Sequence, residues 1–179
     1  MTYSTWVAGA LALVVSLSAF ADAKGSDARQ LKRLAEANLA EIEAGKLATQ
    51  KATNADVKKF AQQMVDDHSK QLQELRTLAQ AKKIELPSAA DAKHKRALEK
   101  LQTLSGADFD RRYMRMQVAA HRKAGKLAER TAKDAADAEL KVAAQKAAPE
   151  IQQHLKRAEE LAASARSDRR AASGGGRAR

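Results

Sequence analysis

The chain is 179 residues long, with 33 Lys+Arg against 22 Asp+Glu, four His, no Cys and a formal net charge of +11. That length suits one ordinary domain, and 44% hydrophobic residues is enough to build its core. The lack of cysteine excludes disulfides, thiolate metal sites, a cysteine nucleophile and lipoprotein acylation, while 3% aromatics leave base-stacking on nucleic acid poorly supplied.

Met1 to Ala21 carries no charged side chain and has an apolar centre from Trp6 to Phe20, followed by the small-x-small sites Ala19-Phe20-Ala21 and Ala21-Asp22-Ala23. This layout predicts a secretory signal peptide over residues 1–23, cleaved after Ala21 or Ala23, although the segment before the apolar run lacks Lys and Arg. The apolar run is short against the ~20 residues of a spanning helix, so no transmembrane span is expected after cleavage. All the basic residues remain in the mature chain, which is therefore cationic and expected in the periplasm or outside the cell. Anionic envelope surfaces, rather than nucleic acid, are its natural partners there.

From residue 24 to 165 the pattern is helical. With two prolines and abundant Ala, Lys, Gln, Leu and Glu, helix is favoured throughout. Thr53-Asn-Ala-Asp56, Ser88-Ala-Ala-Asp91 and Ser105-Gly-Ala-Asp108 each set a hydroxyl cap three residues before a carboxylate, a start signal for a helix. Long helices are predicted over 27–52, 54–83, 107–134 and 137–165, with a short one over 89–104, and Pro149 is expected to kink or break the last. Val57, Ala61, Met64, Leu72, Leu75 and Ala79 form one core stripe whose missing step is His68. Leu140, Ala144, Ala147, Ile151, Ala158 and Leu161 form another, with His154 in the gap. Such lengths predict an all-α antiparallel four-helix bundle with the short helix in a crossover. Ala44-Gly-Lys-Leu-Ala48 recurs as Ala124-Gly-Lys-Leu-Ala128, so the bundle reads as two similar helical hairpins.

Residues 166–179 read as a disordered basic tail: five Arg against Asp168, with a Gly174-Gly-Gly176 run that disfavours helix. The tail is a candidate contact for an anionic envelope surface.

Three histidines, His68, His121 and His154, occupy interior positions of three different long helices. Aligning the repeats sets Glu41 opposite His121, and Glu41 lies 12 residues before Thr53 while His68 lies 15 after it. A three-residue mismatch is about 4.5 Å of helix, so Glu41, His68, His121 and His154 are expected to share a layer. One carboxylate and three imidazoles suit a transition metal ion such as Zn, Cu or Fe. Tyr113 and Asp67 are candidates to support these ligands. His94, amid Lys and Arg, reads as surface. Alternatively, the histidines form a structural polar layer. Glu-x-x-His pairs of di-iron bundles are missing, because Val65 and Ile151 stand three residues before His68 and His154. Hydrolase and phosphate-loop motifs are also missing, so an enzyme is the less favoured reading.

The residues Glu41-Ile-Glu-Ala-Gly-Lys-Leu-Ala48, Phe60-Ala-Gln-Gln-Met-Val-Asp-Asp-His68, Phe109-Asp-Arg-Arg-Tyr113 with Gln117-Val-Ala-Ala-His121, and Pro149-Glu-Ile-Gln-Gln-His154 carry a resemblance. Over about Asp27 to Ala162 the chain resembles the bacterial family named domain of unknown function 4142. The resemblance implies a ferritin-like bundle, secretion, and histidines at the family's motif positions, with no settled activity. Three functions remain open: metal handling or stress protection in the envelope, a non-enzymatic interaction protein, and a metal-dependent oxidase-like enzyme. Oligomeric state is not encoded in any pattern of the chain.

Overall fold

In the computed structural model the backbone is described for residues 14–174 and side chains for 25–167. Five helices follow in order: α1 (Val14–Lys51), α2 (Ala55–Ala81), α3 (Ala92–Gln102), α4 (Gly106–Asp134) and α5 (Ala138–Gly174). No strand occurs among the described residues. Tight turns fold α1 onto α2 and α4 onto α5, and the two antiparallel hairpins pack against each other with α3 in the crossover against α1 and α4. The expected all-α bundle of two hairpins is what the chain forms.

The outer ends of the first and last helices differ from expectation. Residues 1–13 of the expected leader lie outside the described residues, and residues 14–23 continue α1 upstream without a break. α5 runs to Gly174, past the expected end at 165, so the part of the tail from 166 to 174 is helical and only 175–179 lie outside the described residues. Ala and Arg are strong helix formers, and nothing between Ser164 and the glycine run interrupts them. Pro149 is accommodated inside α5, which is not broken there.

The start signals locate the helices, but other residues do the capping. Asn54, not Thr53, caps α2 by accepting from Asp56 N and Val57 N, and Asp91, not Ser88, caps α3 by accepting from His94 N. Ser105 stands at the cap of α4 without a side-chain bond. Thr53 is free for another task because a buried carboxylate reaches its turn from α4. Asp110 accepts from Thr53 N at 3.1 Å, Thr53 Oγ1 at 2.7 Å and Asn54 N at 2.9 Å. Asp27 on α1 does the same for the other turn, accepting from Ala136 N at 3.2 Å and Asp137 N at 2.7 Å. Each hairpin's turn is thus held by a carboxylate from the first helix of the other, and this fixes the axial register of all four long helices.

The repeated Ala-Gly-Lys-Leu-Ala segments put a buried glycine on the seam within each hairpin. At Gly45 a Cβ would lie 2.8 Å from Val65 Cγ2 and 3.0 Å from the Ala61 carbonyl, whereas at Gly125 it would meet only the Gln152 side chain at 3.5 Å and Ile151 at 3.8 Å. Two apolar clusters fill the ends of the bundle. Phe60, Met64, Phe109, Tyr113, Met114 and Leu161 pack at the α1–α2 turn, under Leu101 of α3, and Leu31, Leu75, Ala79 and Leu140 at the α4–α5 turn. The histidines lie between them.

Gly45→Ala is expected to lower stability by about 1–3 kcal/mol through overpacking, while Gly125→Ala is neutral or gains up to about 1 kcal/mol of helix propensity. Asp110→Ala leaves buried donors unmet and is expected to cost about 2–3 kcal/mol. Urea unfolding of the three variants checks both expectations.

Candidate metal centre

Register brings three of the four expected site residues together. His68 from α2, His121 from α4 and His154 from α5 are buried, with ring centroids 5.7, 5.6 and 5.3 Å apart in pairs. One ring nitrogen from each belongs to a set whose members all lie within 4.8 Å of one another.

Each ring is oriented by a hydrogen bond from its other nitrogen. His68 Nδ1 lies 2.9 Å from Asn38 Oδ1, His121 Nδ1 lies 3.0 Å from the Gln117 carbonyl, and His154 Nε2 lies 3.0 Å from Asp67 Oδ2. The Asn38 amide nitrogen is committed to the Leu34 carbonyl, which leaves its oxygen for His68. All three partners are acceptors, so the bonded nitrogens carry the protons. In the neutral rings the remaining nitrogens, His68 Nε2, His121 Nε2 and His154 Nδ1, hold lone pairs, are buried and meet no hydrogen-bonding group of the described protein. Burial, then the charges of His121 and His154, push the His68 pKa down to about 3. His154 is also lowered, by burial first and then by His121, against a smaller opposing pull from Asp67.

Glu41 is not the fourth member. Its carboxylate accepts from Gln117 Nε2 at 2.7 Å, beside the cluster, and it stands outside the grouped ligand atoms. The register explains the difference: Asn38 lies 15 residues before Thr53 and His68 15 after it, so Asn38, rather than Glu41, is level with His68. Asp67 does support the cluster, but through His154 on the facing helix and not its neighbour His68. Tyr113 does not. Its buried hydroxyl bonds to none of the histidines, its ring packs on Phe60 and Phe109, and burial followed by the Glu41 charge raises its pKa. His94 is half-buried beside Asp91, with Nδ1 2.9 Å from its carboxylate, and is not among the grouped ligand atoms. Asn38 and Gln117 were not anticipated. A second group, Asp67, Glu150 and His154, lies on the outer side of the same ring, with Gln71 Nε2 donating to Glu150 at 2.9 Å.

The family described as "Domain of unknown function (DUF4142)" matches residues 14–161. The chain belongs to that family. Its fold is similar to that of "CopM in the Cu(II)-bound form", with 19% identity, a TM-score of 0.67, and coverage of 77% of this chain and 96% of that one. At that identity the likeness concerns the fold alone. No curated protein matches the chain. No helix among the described residues is long and apolar enough to cross a membrane.

A lowered imidazole pKa makes folding exclude a proton that the unfolded chain binds. The contribution of His68 is therefore intact above about 6.5 and is lost as pH falls from there toward 3. The metal-free protein is expected to lose stability in that window, with a slope approaching about 1.4 kcal/mol per pH unit for each excluded proton. Thermal melts of wild type and His68→Gln between pH 4 and 7 check this, the variant showing the shallower dependence.

Proposed function

We propose that this protein binds one transition metal ion through His68, His121 and His154, and that its role is metal handling or protection in the bacterial envelope. The observation that carries the reading is the three buried, unpartnered ring nitrogens, each on an imidazole whose other nitrogen is held by an acceptor. Unmet buried polar atoms are costly. A cation bound by them removes that penalty. Imidazoles backed by carboxylate or carbonyl acceptors are also the usual form of metal-ligating histidine.

Three neutral ligands leave the charge of a divalent ion uncompensated. Asp67, bonded to His154, and Glu41, one hydrogen bond beyond Gln117, supply two carboxylates close by. Imidazole donors suit Zn, Cu, Fe and Ni, and the Cu(II) carried by the similarly folded CopM favours copper among them. Three protein ligands leave a coordination position for an outside group. A purely structural polar layer is the weaker reading, because in such a layer the rings would bond to each other or to Glu41. Export rests on the leader-like segment ending at Ala21 or Ala23; the first inter-hairpin clamp, Asp27, lies just beyond it and survives cleavage.

Elemental mass spectrometry of untagged protein from cells supplied with Zn, Cu, Fe, Mn and Ni tests this reading. Near-stoichiometric metal is expected, absent in His121→Ala, with affinity reduced about 10- to 100-fold in Asn38→Ala. Glu41→Gln is expected to keep its metal. Protein that neither co-purifies with nor rebinds any of these metals would overturn the proposal.

A further inference from the structure

Between the histidine layer and the apolar cluster at the α4–α5 turn, the two hairpins part around a cavity of about 780 Å³. Its size has a local cause. On the α4 and α5 side this stretch is built largely of alanines, including Ala120, Ala124, Ala143 and Ala147, whose side chains are too short to meet the leucines opposite. The volume falls within the range of small-molecule sites. Its wall is mainly apolar, with Leu34, Leu75, Leu78, Leu127 and Ile151. Val142, the large hydrophobic residue most exposed among those described at 61%, also lines it.

At the histidine end the cavity reaches His68, His121, Asn38 and Glu41. These groups offer acceptors. The Asn38 amide nitrogen is given to Leu34 and its oxygen to His68, while the Nε2 atoms of His68 and His121 are the unpartnered lone-pair nitrogens. Glu41 is a carboxylate held by Gln117. An anionic head group is therefore repelled at this end in the metal-free protein. The charged groups of the lining nearly balance, Arg33, Lys70, Lys123, Arg130 and Lys146 against Glu36, Glu41, Glu74, Asp91, Glu139 and Glu150, so the cavity offers no net field for an ammonium head, whose burial needs a full complement of partners. A neutral hydrogen-bond donor is accepted there by the free nitrogens of His68 and His121 and by Glu41.

We infer that the cavity is a binding site for a neutral organic amphiphile with a hydroxyl head, of the phenol or alcohol class. Its hydroxyl donates to the free Nε2 of His68 or His121, or to Glu41, and its apolar body lies along Leu34, Leu75, Leu78 and Leu127. The site does not depend on the metal reading, since the acceptors are those of the metal-free protein. When a metal occupies the triad, the same oxygen is a suitable group for its open position, because His68 and His121 face the cavity.

The test is calorimetric titration of the full chain, stripped of metal with a chelator, using 4-heptylphenol, octanoate and octylammonium as probes. The phenol is expected to bind with one-to-one stoichiometry and at least tenfold more tightly than either charged probe. Ala124→Phe fills the cavity and is expected to weaken phenol binding at least tenfold while leaving metal content unchanged; Ala143→Phe replaces it if that variant does not fold. Equal or tighter binding of octanoate or octylammonium would overturn the assignment of ligand class. No saturable phenol binding, or binding untouched by the filling variant, would overturn the site. Metal content, measured separately by mass spectrometry on the same preparations, shows independently whether the metal reading holds.

Discussion

The axial register set by two buried carboxylates governs everything else in this bundle. Asp110 holds the α1–α2 turn from α4, and Asp27 holds the α4–α5 turn from α1, each through backbone amides that the turns leave free. Helices in a bundle otherwise slide along apolar stripes that repeat every three or four residues, and alanine-rich stripes resist sliding least. A slip of one turn would carry His121 and His154 about 5 Å past His68. The reciprocal clamps therefore keep three rings from three helices level, and each clamp uses only one residue from the opposite hairpin.

Levelling the rings does not by itself make a site; their tautomers do. Because Asn38, the Gln117 carbonyl and Asp67 are all acceptors, each imidazole keeps its proton on the nitrogen bonded there and leaves the lone pair of its other nitrogen unpartnered. Unpartnered buried nitrogens are costly, and under the proposed reading a bound electron-poor group relieves that cost. Burial disfavours the charged form of His68 and His154, whose pKa values are lowered. The open side of the layer faces a cavity left by alanines, so the polar atoms and the space beside them arise from the same two hairpins. An aromatic cluster packs one end of the bundle and a leucine cluster the other, with the alanine-lined cavity between the latter and the histidines.

Most of the fold was legible in the sequence because helix propensity and 3.6-residue patterning agree along the chain. Boundaries of α2 and α4 fell within two residues of expectation, since polar turn residues mark both ends. The far ends of α1 and α5 were not legible: both segments continue a helix already begun, and cleavage or disorder signals do not oppose helix propensity. Capping was misassigned because a hydroxyl three residues before a carboxylate describes a local option, whereas Asp110 claims Thr53 from another helix. His68 and His154 stood out as polar gaps in apolar stripes, and His121 as an interior position of a third long helix. Glu41 was included by allowing a three-residue offset, whereas Asn38 stands at zero offset from His68. The support from Asp67 crosses helices, and no single-helix periodicity encodes it.

Nitrogen-15 NMR of the imidazole rings, recorded on metal-free protein near neutral pH, tests the central claim most directly. The account predicts neutral rings protonated at Nδ1 in His68 and His121 and at Nε2 in His154, with zinc or Cu(I) shifting only the three unprotonated nitrogens. A reversed tautomer at any of the three rings, or metal-induced shifts at the nitrogens facing Asn38, Gln117 and Asp67, would contradict it.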